Sequence, residues 1–317
     1  MNKTNSYLVD LDKIRSKIEA EILNLPPVDK IPLFYEPIYY INRLGGKKIR
    51  PQLTVLSGMV VGGLEKNLLP PAAAIELLHN FSLVHDDIMD NDDTRRGNPT
   101  VHVKWDLGTA ILAGDGLLGL AYRKLLQTPA IENTQLVSLF TEAVLEICEG
   151  QALDKTFESS PIVSEEDYLK MISKKTATLI KLACQIGAIV GGGTIEQIEG
   201  LAQYGFNMGM GFQVQDDLLD ILADERKLGK KVGSDFAMNK KTIIRVKLAQ
   251  AIQPKQLTLS SIEQYRQILI ENRIVDQVKE MIEYYFTESR KYLAVVPQNK
   301  YKRLLNYITD YIQRRDK

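Results

Sequence analysis

Sulfur and imidazole are scarce in this chain. Its 317 residues include two cysteines, Cys148 and Cys184, and no C-x-x-C pair. That argues against a disulfide framework or a thiolate zinc site and fits a reducing compartment. Three histidines are present, and no nucleophile-and-base arrangement surrounds them. A surplus of charge is missing too, because 40 basic and 40 acidic residues cancel. No global field then draws the chain to nucleic acid or an anionic membrane, and any bound anion needs a local cluster of cations. No run approaches the roughly eighteen uninterrupted apolar residues of a membrane span. The first dozen residues are polar and acidic, so no signal peptide is expected. Phosphate loops of the G-x-x-x-x-G-K-[ST] type and G-x-G-x-x-G after a strand are both absent. The expectation is a cytoplasmic protein with no integral membrane segment and no nucleic-acid partner.

What the chain has in plenty is helical periodicity. Apolar residues recur at three- and four-residue steps near 7–24, 49–62, 71–90, 107–126, 134–152, 165–190, 195–222, 238–252, 257–290 and 298–315. Breaks fall at Pro26-Pro27, Pro70-Pro71, Gly97-Asn98-Pro99, Ser159-Ser160-Pro161, Gly191-Gly192-Gly193 and Pro254. No hairpin signal and no alternating run long enough for a sheet is found. The spacing predicts about ten helices in one all-α domain over 1–317, with several helices apolar on wide faces and therefore inside a large bundle. Such a core is where carboxylate metal sites are built from facing helices.

Two acidic clusters share one spacing. Asp86-Asp87-Ile88-Met89-Asp90 and Asp216-Asp217-Leu218-Leu219-Asp220 both read D-D-x-x-D. On a helix the first and last carboxylates of each share a face and repel. Apolar segments lead into both clusters, at 72–84 and 209–214, so a solvated acidic turn is a poor account of them. With 20 aspartates in the chain, one copy is expected by chance in roughly one such chain in thirteen, and two copies in about three per thousand. Magnesium suits the pattern, because it takes a few carboxylates, several waters and substrate phosphates.

A diphosphate between such clusters needs cations. Gly45-Gly46-Lys47-Lys48-Ile49-Arg50-Pro51, Arg95-Arg96, Lys174-Lys175-Thr176, Gly229-Lys230-Lys231 and Lys240-Lys241-Thr242 supply them around both clusters. Any one segment alone is best read as surface charge. His79, seven residues before Asp86 on nearly the same helical face, would donate to a diphosphate. His85 and His102 are read as structural.

In chain order these segments resemble the trans-isoprenyl diphosphate synthases, the head-to-tail prenyltransferases, over nearly the whole sequence. The matching segments are GGKKIRPQL, ELLHNFSLVHDDIMDNDDTRRGNPTVH, AILAGDGLL, EGQALD, KKTATLI, FQVQDDLLD, GKKVGSD and the KKT at 240–242. The resemblance implies an isoprenoid (terpenoid) synthase-like helical bundle around a central cavity, commonly a homodimer. It implies that Asp86 and Asp90 hold two magnesium ions and Asp216 a third, with Asp87 and Asp220 in support. Lys47, Arg50, His79 and Arg96 would hold isopentenyl diphosphate. Arg95, Lys175, Lys230 and Lys240 would hold an allylic prenyl diphosphate (dimethylallyl, geranyl or farnesyl). Thr176 and Gln213 would line the place where the allylic cation forms, and Arg315 would help close over isopentenyl diphosphate. The loops 91–102 and 223–242 would exclude water. One departure is Asn239-Lys240-Lys241-Thr242-Ile243-Ile244 where the family commonly has Gly-Lys-Thr-Leu-Pro, which makes Lys241 an alternative to Lys240.

The resemblance also sets an expected product. In the family the residues four and five before the first aspartate form the pocket floor, here Ser82 and Phe81. Bulky Phe81 and the lack of a two-residue insertion in the first cluster resemble archaeal-type geranylgeranyl synthases, giving C20, with C15 or C25 as alternatives. Helix geometry alone leaves Phe81 roughly 140° round from Asp86. A terpene cyclase is disfavoured by the intact second cluster and by Lys47 and Arg50. A non-catalytic synthase subunit is disfavoured because all six aspartates are kept.

Overall fold

The computed structural model describes residues 3–129, 133–222, 240–252 and 262–315. Helices dominate them: α1 Lys3–Leu23, α2 Pro32–Arg43, α3 Ile49–Val60, α4 Glu65–Asp90, α5 Val101–Lys104, α6 Leu107–Leu125, α7 Asn133–Ser159, α8 Glu165–Ile172, α9 Thr178–Val190, α10 Ile195–Leu222, α11 Ile243–Ala251, α12 Ile262–Glu271, α13 Ile274–Tyr292 and α14 Lys300–Gln313. The all-α expectation holds. Among the described residues no helix is long and apolar enough to cross a membrane. Cys148 is exposed and Cys184 buried, and no disulfide joins them.

The chain divides into two compact units. The first comprises Met1–Val144, Leu179–Ala202 and Leu293–Tyr307; the second comprises Leu145–Thr178, Gln203–Tyr292 and Ile308–Lys317. In the first unit α4 is the central element. Its segment Ala72, Ala73, Ala74, Ile75, Leu77 and Leu78 is wholly buried, which is why the sequence there is apolar on every face. Each large side chain so buried contributes about 1.5–3 kcal/mol. The core of the second unit gathers Tyr204, Met208, Val214, Ile244, Tyr265, Leu269, Val278, Phe286 and Ile308. Tyr204 is fixed at both ends there: its hydroxyl is 3.0 Å from Thr309 Oγ1, and its carbonyl accepts from Ser289 Oγ at 2.8 Å.

Several local expectations are corrected. Pro70 and Pro71 do not break a helix but lie inside α4. They fall within its first two turns, where the lost hydrogen bonds are few and burial of Leu68, Pro71 and Ala72 offsets them. Helix α2 was hidden in the sequence by its prolines, yet Pro32 starts it at a position whose N–H has no helical partner anyway. The single helix expected over 257–290 is two, parted at Arg273, whose φ is +56°. A minimal hairpin stands where none was expected: Thr94–Arg95 pairs antiparallel with Asn98–Pro99. Its turn residues Arg96 and Gly97 both have positive φ, 53° and 75°, as a type I′ turn requires. Strands of two residues carry no periodicity to detect.

Candidate active site

The first acidic cluster occupies the last turns of α4, which carries no basic residue in its final turn. Asn91, in the left-handed conformation, closes the helix by donating its N–H to the carbonyls of Asp87 and Ile88. Carboxylates at the negative end of a helix dipole are unfavourable, and a like-charged pair one turn apart adds to the cost. The three aspartates are not equivalent. Asp86 and Asp90 are half-buried at the helix surface. Asp87 is buried, and its Oδ1 accepts from Arg95 Nε at 2.7 Å and Nη2 at 2.5 Å. Its Oδ2 is buried without a partner. Burial pushes the Asp87 carboxyl up, against the opposing pull of Arg95.

The cationic loop lies in the same unit. Lys47 is exposed, Lys48 buried and Arg50 half-buried at the start of α3. Arg50 Nη1 approaches His79 Nε2 on α4 at 3.4 Å. Burial first, then Arg50, Arg96, Arg95 and Lys48, hold the His79 pKa well below its ordinary value. A neutral ring then accepts at Nε2 from the guanidinium and keeps its N–H at Nδ1 for donation. Arg96 donates to the carbonyl of Gly45. Its guanidinium fills the space beside Gly46, where a Cβ would stand 2.6 Å from Nη1. The loop expected to close is fastened at several points: Thr100 Oγ1 donates to the Asp92 carbonyl at 2.8 Å, and Tyr40 Oη to the Pro99 carbonyl at 2.7 Å. Ser82 Oγ turns back to the His79 carbonyl at 2.9 Å. Phe81 is buried, with its ring edge-on to His85 at 4.8 Å.

In the second unit the second cluster lies in the last described turns of α10, where no basic residue falls in the last turn. The pattern of the first cluster repeats. Asp216 is exposed, Asp220 half-buried and the middle aspartate, Asp217, buried. Asp217 accepts from Tyr168 Oη at 2.6 Å, Gln213 Nε2 at 2.9 Å and the Ile243 N–H at 3.1 Å. Asp216 Oδ1 faces Arg315 Nη2 at 3.0 Å, and the Arg315 guanidinium lies 4.0 Å over the Phe212 ring. Gln213 is fixed at both ends, because its Oε1 accepts from Thr176 Oγ1 at 2.8 Å.

Lys175 and Thr176 sit in a π-turn, Ser173–Ala177, between α8 and α9. The sequence pattern over 165–190 reads as one unbroken helix; the inserted turn is the departure, and such turns recur at functional sites. Two glycines let neighbouring helices close on it. A Cβ at Gly150 of α7 would stand 2.3 Å from the Lys175 backbone nitrogen, and one at Gly209 of α10 would stand 2.6 Å from Ala177 Cα. Lys175 Nζ donates to Asp154 Oδ2 at 2.5 Å and Lys174 Nζ to Glu149 Oε2 at 2.6 Å. Lys240 is half-buried, just before α11. Lys230 and most of the loop 223–242 lie outside the described residues.

The sequence reading gave no individual role to Glu76, Asp154, Tyr168 or Asp217, although Asp217 was counted within its cluster. The signal for Asp217 was present in the Asp-Asp doublet, and that for Asp154 in EGQALD. Glu76 opens the segment ELLHNFSLVHDD, and only Tyr168 had no such signal. Among the described residues no three or more His, Cys, Asp or Glu side chains stand together as a ready metal site. The outer aspartates fit a hard cation that completes its shell with water and phosphate, since all their donors are carboxylate oxygens.

Helical folds with two D-D-x-x-D clusters and cations close by define a class of enzymes acting on prenyl diphosphates. Residues 31–284 match the polyprenyl synthetase family model, and the chain belongs to that family. It is 39% identical over 318 residues to geranylgeranyl diphosphate synthase of Methanosarcina mazei, covering 98% of each. It is 38% identical to geranylfarnesyl diphosphate synthase of Natronomonas pharaonis, covering 91% of this chain and 92% of that protein. The crystal structure of geranylgeranyl pyrophosphate synthetase from Pyrococcus horikoshii superposes with a TM-score of 0.94 at 34% identity, covering 99% of this chain and all of that one.

Proposed function

We propose that this prenyl diphosphate synthase condenses isopentenyl diphosphate with an allylic diphosphate to give geranylgeranyl diphosphate. The observation that carries the reading is the repeated division of labour in the two clusters. In each the middle aspartate is buried and occupied by the protein, Asp87 by Arg95 and Asp217 by Tyr168 and Gln213. The outer ones, Asp86, Asp90, Asp216 and Asp220, are at least partly exposed. Homology to geranylgeranyl synthases and the bulk of Phe81 favour the C20 product over C15 or C25.

Magnesium, three ions in this reading, would be held by Asp86, Asp90 and Asp216 and would supply positive charge to the leaving diphosphate. The protein's own part is electrostatic and geometric. Lys175, Lys230, Lys240 and Arg95 neutralise charge on the allylic diphosphate as its carbon–oxygen bond ionises. Arg95 does so while tied to Asp87, which fixes its direction. Lys47, Arg50, Arg96 and the Nδ1–H of His79 orient isopentenyl diphosphate so that its double bond meets the cation. Thr176 and Gln213 present oxygens toward that cation. The loop 91–102 excludes water.

We also propose that the two compact units act as one domain, since α7, α10 and α14 each contribute residues to both. A homodimer is proposed from the exposed apolar side chains Leu107, Ile111 and Leu112 on α6, and residence in the cytoplasm from the scarcity of cysteine and the lack of a C-x-x-C pair. The experiment is incubation of the protein with isopentenyl diphosphate, each of the three allylic starters and magnesium, followed by chain-length analysis. A magnesium-dependent C20 product is expected; no product with any starter sinks the reading.

A further inference from the structure

Three of the four residues at positions 45–48 have left-handed backbone. Gly45 has φ +77°, Gly46 +109° and Lys48 +49°. The glycines adopt this freely, but a lysine there is uncommon and needs outside support. Lys48 stands immediately before α3, with ψ 39°. Its side chain runs inward to α4, where Nζ donates to Glu76 Oε1 at 3.0 Å. Both side chains are almost wholly buried, at 2% and 3% exposure. The turn sends its neighbours the other way, so Lys47 is exposed and Arg50 half-buried.

The sequence pattern counts Lys48 among the cations for an anion. The geometry instead commits it to the protein. Glu76 and His79 are three residues apart on one face of α4, and they meet Lys48 and Arg50 in turn. These two contacts fasten the start of α3 to α4. The Gln52 side chain closes the turn from within, donating Nε2 to the Lys47 carbonyl at 2.7 Å. Glu76 also acts on Arg96, favouring its charged form against the effect of burial.

A buried ion pair is weak evidence for stability, because apolar replacements of similar volume are often neutral or better. Its place beside a strained turn between two exposed or half-exposed cations points to geometry. We propose that Glu76 is a positioning residue for the isopentenyl diphosphate pocket, its pair with Lys48 holding the left-handed turn that directs Lys47 and Arg50 to the diphosphate. This rests on the functional reading above.

The test measures KM for both substrates, kcat and thermal stability in wild type, E76Q and K48M/E76M. E76Q is expected to raise KM for isopentenyl diphosphate roughly tenfold or more while changing allylic KM by less than about twofold. The double variant removes both charges and is expected to regain stability while KM for isopentenyl diphosphate stays raised. Recovery of KM together with stability, or an E76Q that is destabilised with unchanged KM, overturns the inference. Where E76Q does not fold, the double variant decides alone. A wild type without product overturns the functional reading itself, whereas a working wild type beside an indifferent E76Q overturns only this inference.

Discussion

Arg315 holds Asp216. Its Nη2 lies 3.0 Å from Asp216 Oδ1 and also donates to the Phe212 carbonyl at 3.2 Å. A side-chain cation thus stands at the carboxylate proposed as a metal ligand. Asp216 is 58% exposed, so the pair is worth at most about 1 kcal/mol. R315Q should therefore tighten binding of manganese plus inorganic pyrophosphate by no more than about fivefold. Calorimetric titration reads this without turnover. Weaker binding in the variant would assign Arg315 to the anion instead.

Adjacent aspartates in the second cluster should behave oppositely. Asp217 accepts three hydrogen bonds in the core, and D217N sets an amide N–H against those donors. The expected cost is about 2–4 kcal/mol in urea unfolding. D216N should change stability by less than about 0.5 kcal/mol yet lower kcat by about 100-fold or more. Equal stabilities for the two variants would mean that Asp217 is not held as described.

The π-turn gives a prediction away from any charge. G150A places a methyl 2.3 Å from the Lys175 backbone nitrogen, so the turn or α7 must shift. Overpacking of this kind costs about 1–3 kcal/mol, and a displacement of about 1 Å at Lys175 and Thr176 should lower kcat on the order of 100-fold. G209A, pressing on Ala177 from α10, should do the same. Full kcat in both would show that the turn does not set the geometry of the reaction.

These cases mark what the sequence made legible. Periodicity revealed most helices, since burial imposes it, and the twin D-D-x-x-D clusters marked both carboxylate sites. Helix α2 was obscured because two prolines outweigh a short pattern locally, although Pro32 at the first position favours a helix. The π-turn was invisible because one inserted residue barely disturbs a 3.6-residue period. The clusters do not declare which aspartate is buried. Asp86 and Asp87 are equal in sequence, and the partner Arg95, eight residues on in the first strand of the hairpin, tells them apart.

His79 makes stability depend on pH. Burial and the surrounding cations hold its folded-state pKa well below the ordinary histidine value of about 6.5, so the unfolded chain takes up the proton first. Its contribution is complete above about pH 6.5 and is lost as pH falls toward the folded-state value, at up to about 1.4 kcal/mol per pH unit. H79N should remove that component and flatten the curve between about pH 6.5 and 5. Urea unfolding at several pH values provides the comparison. Parallel curves for wild type and variant would contradict a neutral His79 ring in the folded protein.

Chain length should answer to Phe81. Its ring is buried and meets His85 edge-on, at 4.8 Å and 68°. His85 in turn lies against α6 at Gly114, where a Cβ would fall 2.2 Å from Nε2. A ring braced in this way cannot yield to a growing chain without moving both neighbours. Ser82, by contrast, is small and turned back to its own helix. F81A removes the bulk and should shift the product from C20 toward C25 and longer. H85A removes the brace but leaves the ring, so its shift should be smaller, and in the F81A background it should add little, because residues in contact are not additive. Chromatography of the products separates these outcomes. An unchanged distribution in F81A would place the floor elsewhere, and a strong additive effect of H85A would show that His85 meets the chain directly.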